Sequence, residues 1–485
     1  MIRLQFFFLF FASATLAPAQ TKPETKPSAH RINFQATLRT RMEAWDWFQT
    51  GSNDPYAYLG TLGRFGFSQQ FENFDWQLEL GVPLLLGLPD NAIAPAPQGL
   101  LGLGGNYFSA NDRNRNAAMI FPKQAFVRFK GIGGANQSLR LGRFEFLDGS
   151  ELTPKNPTLA ALKVARINQR LIGNFGWAHV QRSFDGAHYS LVKPGGTITF
   201  VGAVPTRGVF QADGWGWNKV GFGYLSYAKA VGKERSAGDL RFFGLYYHDW
   251  RRVLKTDNRP ANVRAGDLSN IGIWTWGGHY LHAVETNAGT VDFILWGAVQ
   301  HGRWGRIDHR GNAVDFEAGI QPKVLPKLKP WIRGGYYHGS GDGNPGDRTH
   351  NTFFQILPTP RPFARFPFFD MVNNQDFFGT LMVRPHKAVT VSGEFHALSL
   401  AKRQDLWVLG GGAFQPWSFG YIGRPSNNAA SLANLWDINM DWKVNPKVTL
   451  TTYFGYSDGK SVVSAIYPKG PRARFGYIEL NYKLW

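Results

Sequence analysis

Between residues 434 and 457 the chain alternates apolar and polar positions with a period of two. Trp436, Ile438, Met440, Trp442 and Val444 fall on one side, and Asp437, Asn439, Asp441 and Lys443 on the other. A tight turn, Asn445-Pro446-Lys447, follows, and the apolar row resumes at Val448, Leu450, Thr452, Phe454 and Tyr456. Successive side chains of a strand point to opposite faces, so this pattern predicts a hairpin with one greasy and one wet side. Its length, ~10 residues per strand, is what a tilted strand needs to cross a bilayer, and Trp and Tyr sit near the ends of the apolar row, at interface depth.

The same grammar recurs along the chain. In 32–44, Ile32, Phe34, Ala36 and Leu38 oppose Asn33, Gln35, Thr37, Arg39 and Arg41. In 74–84, Trp76, Leu78, Leu80 and Val82 oppose Gln77 and Glu79. In 123–131, Ala125, Val127 and Phe129 oppose Arg128 and Lys130, and in 387–398, Val389, Val391 and Phe395 oppose Thr390, Ser392, Glu394 and His396. Further segments read as strands at 59–70, 137–146, 184–193, 196–204, 219–231, 239–250, 271–283, 288–301, 312–322, 328–339, 375–384, 434–444, 447–457 and 473–484, with a less regular one at 166–180. An open edge in lipid would leave backbone groups unpaired, so the sheet must close. Bacterial single-chain barrels have even strand numbers. The reading is therefore all-β: one closed antiparallel transmembrane β-barrel of about eighteen strands over residues 32–485. Short turns at Arg384-Pro385-His386, Leu325-Pro326-Lys327 and Asn445-Pro446-Lys447 are assigned to the periplasm. The long stretches 86–122, 340–374 and 399–433 are assigned to the outside or to the pore. At the C-terminus Ile478, Leu480, Tyr482 and Leu484 share one face, with Trp485 an added interfacial residue.

The N-terminus opens with a single charge, Arg3, then an apolar run from Phe6 to Phe11 and Ala17-Pro18-Ala19. This predicts a secretory signal peptide over 1–19, cleaved before Gln20. The polar, Pro-rich residues 20–31 are read as a flexible periplasmic lead-in. No apolar run approaches the ~20 residues of a membrane helix. Cysteine is absent, which excludes disulfides and thiolate metal sites. With no linker and no shift of composition, one barrel fits better than several soluble domains. Glycine is abundant and aromatics make up 15% of the chain, as in barrels where every second residue faces lipid. The net charge is +19, one less after loss of the leader. Lys and Arg cost ~2–4 kcal/mol at the bilayer midplane, so this charge belongs in the lumen, at the rims or in loops. Each place favours an anionic partner.

No G-x-S-x-G elbow, P-loop or dinucleotide fingerprint is present, and the histidines are scattered without zinc-binding spacing. No catalytic residue, metal or cofactor is predicted. The candidate substrate pathway is a set of cations on the wet face: Arg39, Arg41, Arg128, Lys130 and Arg140. Arginine's planar fork pairs carboxylates bidentately, and a row of such forks in a narrow pore draws anions in. Each cation alone also reads as a solvated wall residue paired with a lumen acid such as Glu79, Glu394, Asp437 or Asp441.

The segment Leu141-Gly-Arg-Phe-Glu-Phe-Leu-Asp-Gly149, then Arg170-Leu-Ile-Gly-Asn-Phe-Gly-Trp-Ala-His-Val-Gln-Arg-Ser-Phe-Asp-Gly186, resembles the alginate-export family of outer-membrane porins. Gly339-Ser-Gly-Asp-Gly-Asn-Pro-Gly-Asp347, the block Leu381–Phe395 and the C-terminal hairpin follow in the same order, so the resemblance spans roughly 120–485. It implies an eighteen-stranded outer-membrane barrel with an arginine-rich pore for the polyuronate alginate. Matched by motif, Arg143, Arg170 and Arg182 become pathway residues and Asp185 an acidic partner. By strand parity, however, Arg143 shares a face with Leu139 and Leu141 unless a bulge intervenes. The expected partners are outer-membrane lipid, an anionic polysaccharide or smaller anions, and a periplasmic export partner, but no nucleic acid. An uptake porin for acidic oligosaccharides or organic acids, an outer-membrane hydrolase and an adhesin-like barrel remain as alternatives.

Overall fold

The computed structural model describes residues 31–51, 55–233 and 235–484. The expected leader 1–19, nearly all of the 20–31 lead-in and Trp485 lie outside them. The strands form one closed antiparallel barrel of eighteen. The first six are β1 (Asn33–Asp46), β2 (Tyr56–Gln70), β3 (Phe74–Leu86), β4 (Phe121–Lys130), β5 (Gln137–Phe144) and β6 (Phe184–Lys193). Next come β7 (Gly196–Pro205), β8 (Val220–Lys233), β9 (Ser236–Asp249), β10 (Ile271–Glu285), β11 (Gly289–Trp304) and β12 (Ile307–Pro322). The last are β13 (Trp331–Gly339), β14 (Asn374–His386), β15 (Val389–Leu400), β16 (Ser431–Asn445), β17 (Val448–Gly459) and β18 (Arg472–Lys483). Each pairs with its sequence neighbours, and β18 closes on β1 from Thr37↔Lys483 to Asp46↔Arg474.

The alternation explains which face each residue takes. Phe34, Met42, Phe67, Leu78, Val127, Phe242, Val299, Phe316, Ile438, Phe454 and Ile478 stand exposed on the outside, where a bilayer covers them. The register partners between them, such as Asp239, Asp292, Asp315, Glu394 and Asp437, turn inward. Outward aromatics gather towards the strand ends: Trp274 stacks on Trp276 at 5.6 Å, and Trp436 meets Tyr456 at 5.8 Å. That is the placement expected at membrane interfaces.

The long loops all lie at one end of the barrel, which also holds the two-residue turn 305–306 between β11 and β12, and the other end has only short turns and both described termini. Among the seventeen connections, the one between β5 and β6 departs most from the expected pattern. Residues 166–180, read from the sequence as a strand, do not enter the wall. They belong to a long segment, 145–183, that folds into the lumen from the loop end. Its alternation is broken by Gly173, Gly176 and the left-handed Gln169, Phe175 and Gln181. Backbone polar groups of a non-strand segment need partners elsewhere. Here residues 353–359 of the β13–β14 loop supply them, through Leu357 N to Leu171 O at 2.9 Å, Gly173 N to Leu357 O at 2.8 Å and Thr359 N to Gln169 O at 2.9 Å.

Candidate functional site: a strap across the lumen

The lumen-crossing segment 145–183, the strap, carries a short helix, Pro157–Leu162. Asn156 caps it, its Oδ1 accepting from Thr158 N at 3.0 Å and Leu159 N at 3.1 Å, and Pro157 occupies the first turn, where a missing N–H costs nothing. A single wide turn, Lys163–Ile167, follows. It presents Lys163 and Arg166, and the residues just after it present Arg170, to a column of acids on the barrel wall. Lys163 Nζ lies 3.0 Å from Asp239, and Arg166 Nε 2.8 Å from Glu317. Arg170 pairs with Asp315 and, at 3.5 Å, with Glu317. Arg333 of β13 completes the set, reaching Glu317 at 2.8 Å and Asp292. Such buried charges persist only when each has a partner.

The other end of the strap is tied to β1–β4. Arg39 donates to the carbonyls of Gly176 (2.6 Å) and Ala178, and Arg41 to that of Trp177 at 2.7 Å. Lys123 Nζ donates to Arg182 O at 2.6 Å. His179 Nε2 lies 2.8 Å from Glu43. Burial, with Arg41 nearby, holds the His179 imidazole down at about 4, so this contact is a hydrogen bond of a neutral ring at physiological pH. Gly60 on β2 makes room for that ring, since a Cβ there would lie 2.3 Å from it. Glu145, at the start of the strap, is clamped between Lys123 at 3.2 Å and Arg64 at 3.0 Å. Burial alone would raise its carboxyl, but the two cations prevail and hold it at about 2.

Most predicted cations therefore serve the strap or sit beside acids. Arg39 faces the lumen with Glu479 at 3.8 Å. Arg41 is wholly buried between Glu43 and Glu479, both at 3.1 Å, under the Trp177 ring. Arg128 grips Asp75 at 2.6 Å, and Lys130 shares that acid at 3.6 Å. Arg170 and Arg182 are almost fully buried on the strap and not on the wall. Arg182 donates to the carbonyls of Gly411, Pro358 and Ala413.

Of the predicted acids, Glu79 holds Arg64 at 2.6 Å, and Glu394 lies 3.4 Å from Arg365. Asp437 faces Glu394 across the register, and Asp441 accepts from Thr451 Oγ1 at 2.7 Å and Asn439 Nδ2 at 3.0 Å. Arg143 and Asp185, expected from the sequence in the pathway, do not face the lumen. Paired at 2.7 Å, they sit on the outer face at the loop-side rim, in the row of Leu141, with the exposed Trp217 donating to Asp185 at 2.5 Å. No bulge rescues the parity, because the neighbouring Phe144 and Phe184 are the buried, inward pair.

Two half-buried lumen cations have no carboxylate partner among the described residues. Arg140 contacts His188 Nδ1 at 2.6 Å and lies over Phe144 at 4.5 Å. Arg361, from the β13–β14 loop, rests on Trp177 at 4.2 Å and Tyr453 at 4.8 Å and donates to Tyr477 Oη at 3.0 Å. Sequence parity found Arg140. Arg361 escaped it because it stands in a Pro/Phe-rich loop without alternation. Among the described residues no group of three His, Asp or Glu is arranged to hold a metal.

The sequence model of a family described as alginate export matches residues 31–458. No curated protein sequence matches the chain. Among solved structures, OccK9 (OpdG) of Pseudomonas aeruginosa is similar, with a TM-score of 0.58 at 10% identity, over 93% of this chain and 98% of that one. OccK2 (OpdF) of the same organism, in complex with glucuronate, has a TM-score of 0.56 at 8% identity, over 94% and 98%. OpdK of that organism, with vanillate, has 0.54 at 9%, over 93% and 99%. At these identities the likeness is one of fold.

Proposed function

The chain belongs to the alginate export family, an outer-membrane barrel by fold and family, and from that premise we propose that it is a passive channel whose electropositive lumen conducts uronate-type polyanions. The observation that carries this reading is the pair Arg140 and Arg361. They are the half-buried lumen-side guanidinium groups without a carboxylate partner among the described residues, held in place by aromatic rings and so able to meet a carboxylate in transit. The ring contacts keep both forks oriented without neutralising them. On this reading the chain is a channel and not an enzyme, and any driving force comes from a gradient or a periplasmic partner.

The test is the reversal potential of purified protein in a planar bilayer under a salt gradient, followed by addition of oligomannuronate. The expected result is anion preference with reversible blockade by the oligomer, and a shift towards non-selectivity in Arg140→Ala and Arg361→Ala. Cation preference, or blockade that ignores both substitutions, would remove the reading. A second reading is uptake of small organic acids or acidic oligosaccharides. It is favoured by the strap, which leaves less room for a polymer, and by the small carboxylates seen in the two neighbouring structures. Liposome swelling separates them: entry of glucuronate without polymer blockade supports the second.

A further inference from the structure

One arc of the turn-side mouth carries charge that no acid neutralises among the described residues. In the turn 323–330, Lys327 and Lys329 stand exposed, and Arg384 and Lys387 flank the turn between β14 and β15. Lys443 and Lys447 flank the turn between β16 and β17, and Lys483 ends β18, all of them exposed. No Asp or Glu occurs in 323–330, 384–388, 443–448 or 481–484. None of these cations belongs to an ion pair among the described residues. They form one arc, because backbone bonds join each end to the next: Arg384 N to Leu328 O at 2.6 Å, Lys443 N to Ala388 O at 2.8 Å and Lys483 N to Lys447 O at 2.8 Å. The loop-side mouth differs in interleaving acids with its cations: Arg251 pairs with Asp249, Arg259 with Asp257, Arg303 with Asp308 and Lys460 with Asp458, beside exposed Arg252, Arg348, Lys402, Arg403 and Lys469, which have no ion pair among the described residues.

We propose that this arc is the loading face of the channel, where a linear polyanion is captured before it threads the lumen. The inference rests on the channel reading above and adds the side of entry and the kind of ligand. Three observations select that ligand. Six strand spacings of ~4.8 Å spread the cations over roughly 30 Å, so they cannot converge on one small anion but can engage a chain with charge at every unit. Lys443 continues the inward row of Asp437 and Asp441, and Lys483 that of Glu479 and Asn481, so the arc faces the pore mouth and not the lipid. Most are lysines, mobile point charges that suit a sliding, sequence-blind contact better than a fixed bidentate one. Short turns of such barrels lie in the periplasm, so loading there means export. Screened, unconverged attraction acts chiefly on encounter, raising on-rates while leaving dwell times little changed.

The experiment records single channels in a planar bilayer, adding polygalacturonate to one side at a time. The chain has no native cysteine, so Ile132→Cys in the turn between β4 and β5 fixes the orientation of each insertion by one-sided thiol labelling. The expected blockade on-rate is at least about tenfold higher from the turn side and falls steeply with salt. In Lys327→Gln/Lys329→Gln/Lys387→Gln/Lys447→Gln that advantage disappears, and with Glu at the same positions it reverses. Small-ion conductance stays as in the parent, because these turn residues do not line the strap. Equal on-rates from the two sides, or an advantage that survives both variants, overturns the proposal. If the parent is not anion-selective, the channel reading fails by its reversal potential. Polygalacturonate binding to nanodisc-embedded parent and Glu variant then still decides the arc. Absence of binding there, with capture of an acidic protein instead, also overturns it.

Discussion

Arg143 and Asp185 show how much one residue's face decides. Both carry charges that, in a pore, would bear on selectivity, yet they form an ion pair on the outer rim, capped by Trp217. There the pair relieves the cost of holding either charge near lipid. Arg143→Ala is therefore expected to leave ion selectivity unchanged and to lower unfolding stability by about 1–3 kcal/mol, since it strands a partly buried carboxylate. Denaturant titration of the barrel in detergent reads the loss, and Arg143→Leu/Asp185→Leu should recover most of it. Gly60 works at the same scale: its missing side chain is the space that His179 fills.

Among the elements, the strap is held by charges and carbonyls instead of a ladder, which makes its docking sensitive to pH. Glu145, near 2 in the folded barrel, contributes stability that is fully present above its ordinary value of 4.5 and is lost as pH falls from there towards 2. His179, near 4 when docked against an ordinary 6.5, stays neutral while the undocked ring takes a proton. Docking thus weakens as pH falls from about 6.5 to about 4. Both groups act in the same direction, so acidification loosens the strap. Single-channel records are expected to show larger and noisier conductance at pH 4 than at pH 7. Glu145→Gln should lose the lower part of that response, below about 4.5. Records that do not change between the two pH values would count against a docked strap.

For the molecule as a whole, the wall and its filling are separable. Phe144 and Phe184 are register partners, so the ends of the strap already stand a hairpin's width apart. Replacing 146–182 with a short Gly-rich turn should leave a closed barrel, since the β5–β6 ladder and the β18–β1 closure do not depend on it. Its conductance should rise several-fold. Heat-modifiable electrophoretic mobility reports closure, and a barrel that no longer closes would mean that the strap is needed to assemble the wall. The acid-free arc of turn-side cations and the loop-side mouth, where acids and cations interleave, are likewise properties of the whole, because they compare two ends of a cylinder.

The wall was legible in the amino-acid order because a membrane strand is local. Period-two alternation such as Trp436 to Val444 sets the face, and a turn such as Asn445-Pro446-Lys447 sets the reversal, so each predicted strand but 166–180 lies in the barrel. The family resemblance likewise pointed to an outer-membrane barrel without coordinates. The filling was not legible. Residues 166–180 carry enough apolar positions to imitate a strand, and it is Asp315 and Glu317, far away in sequence, that draw Arg166 and Arg170 into the lumen. Whether a cation is free, as Arg361 is, or consumed, as Arg41 is, depends on which acids the closed wall brings beside it. Alternation is a short-range pattern that a linear reading recovers, whereas ion pairing across a lumen is a long-range contact that exists only once the barrel has closed.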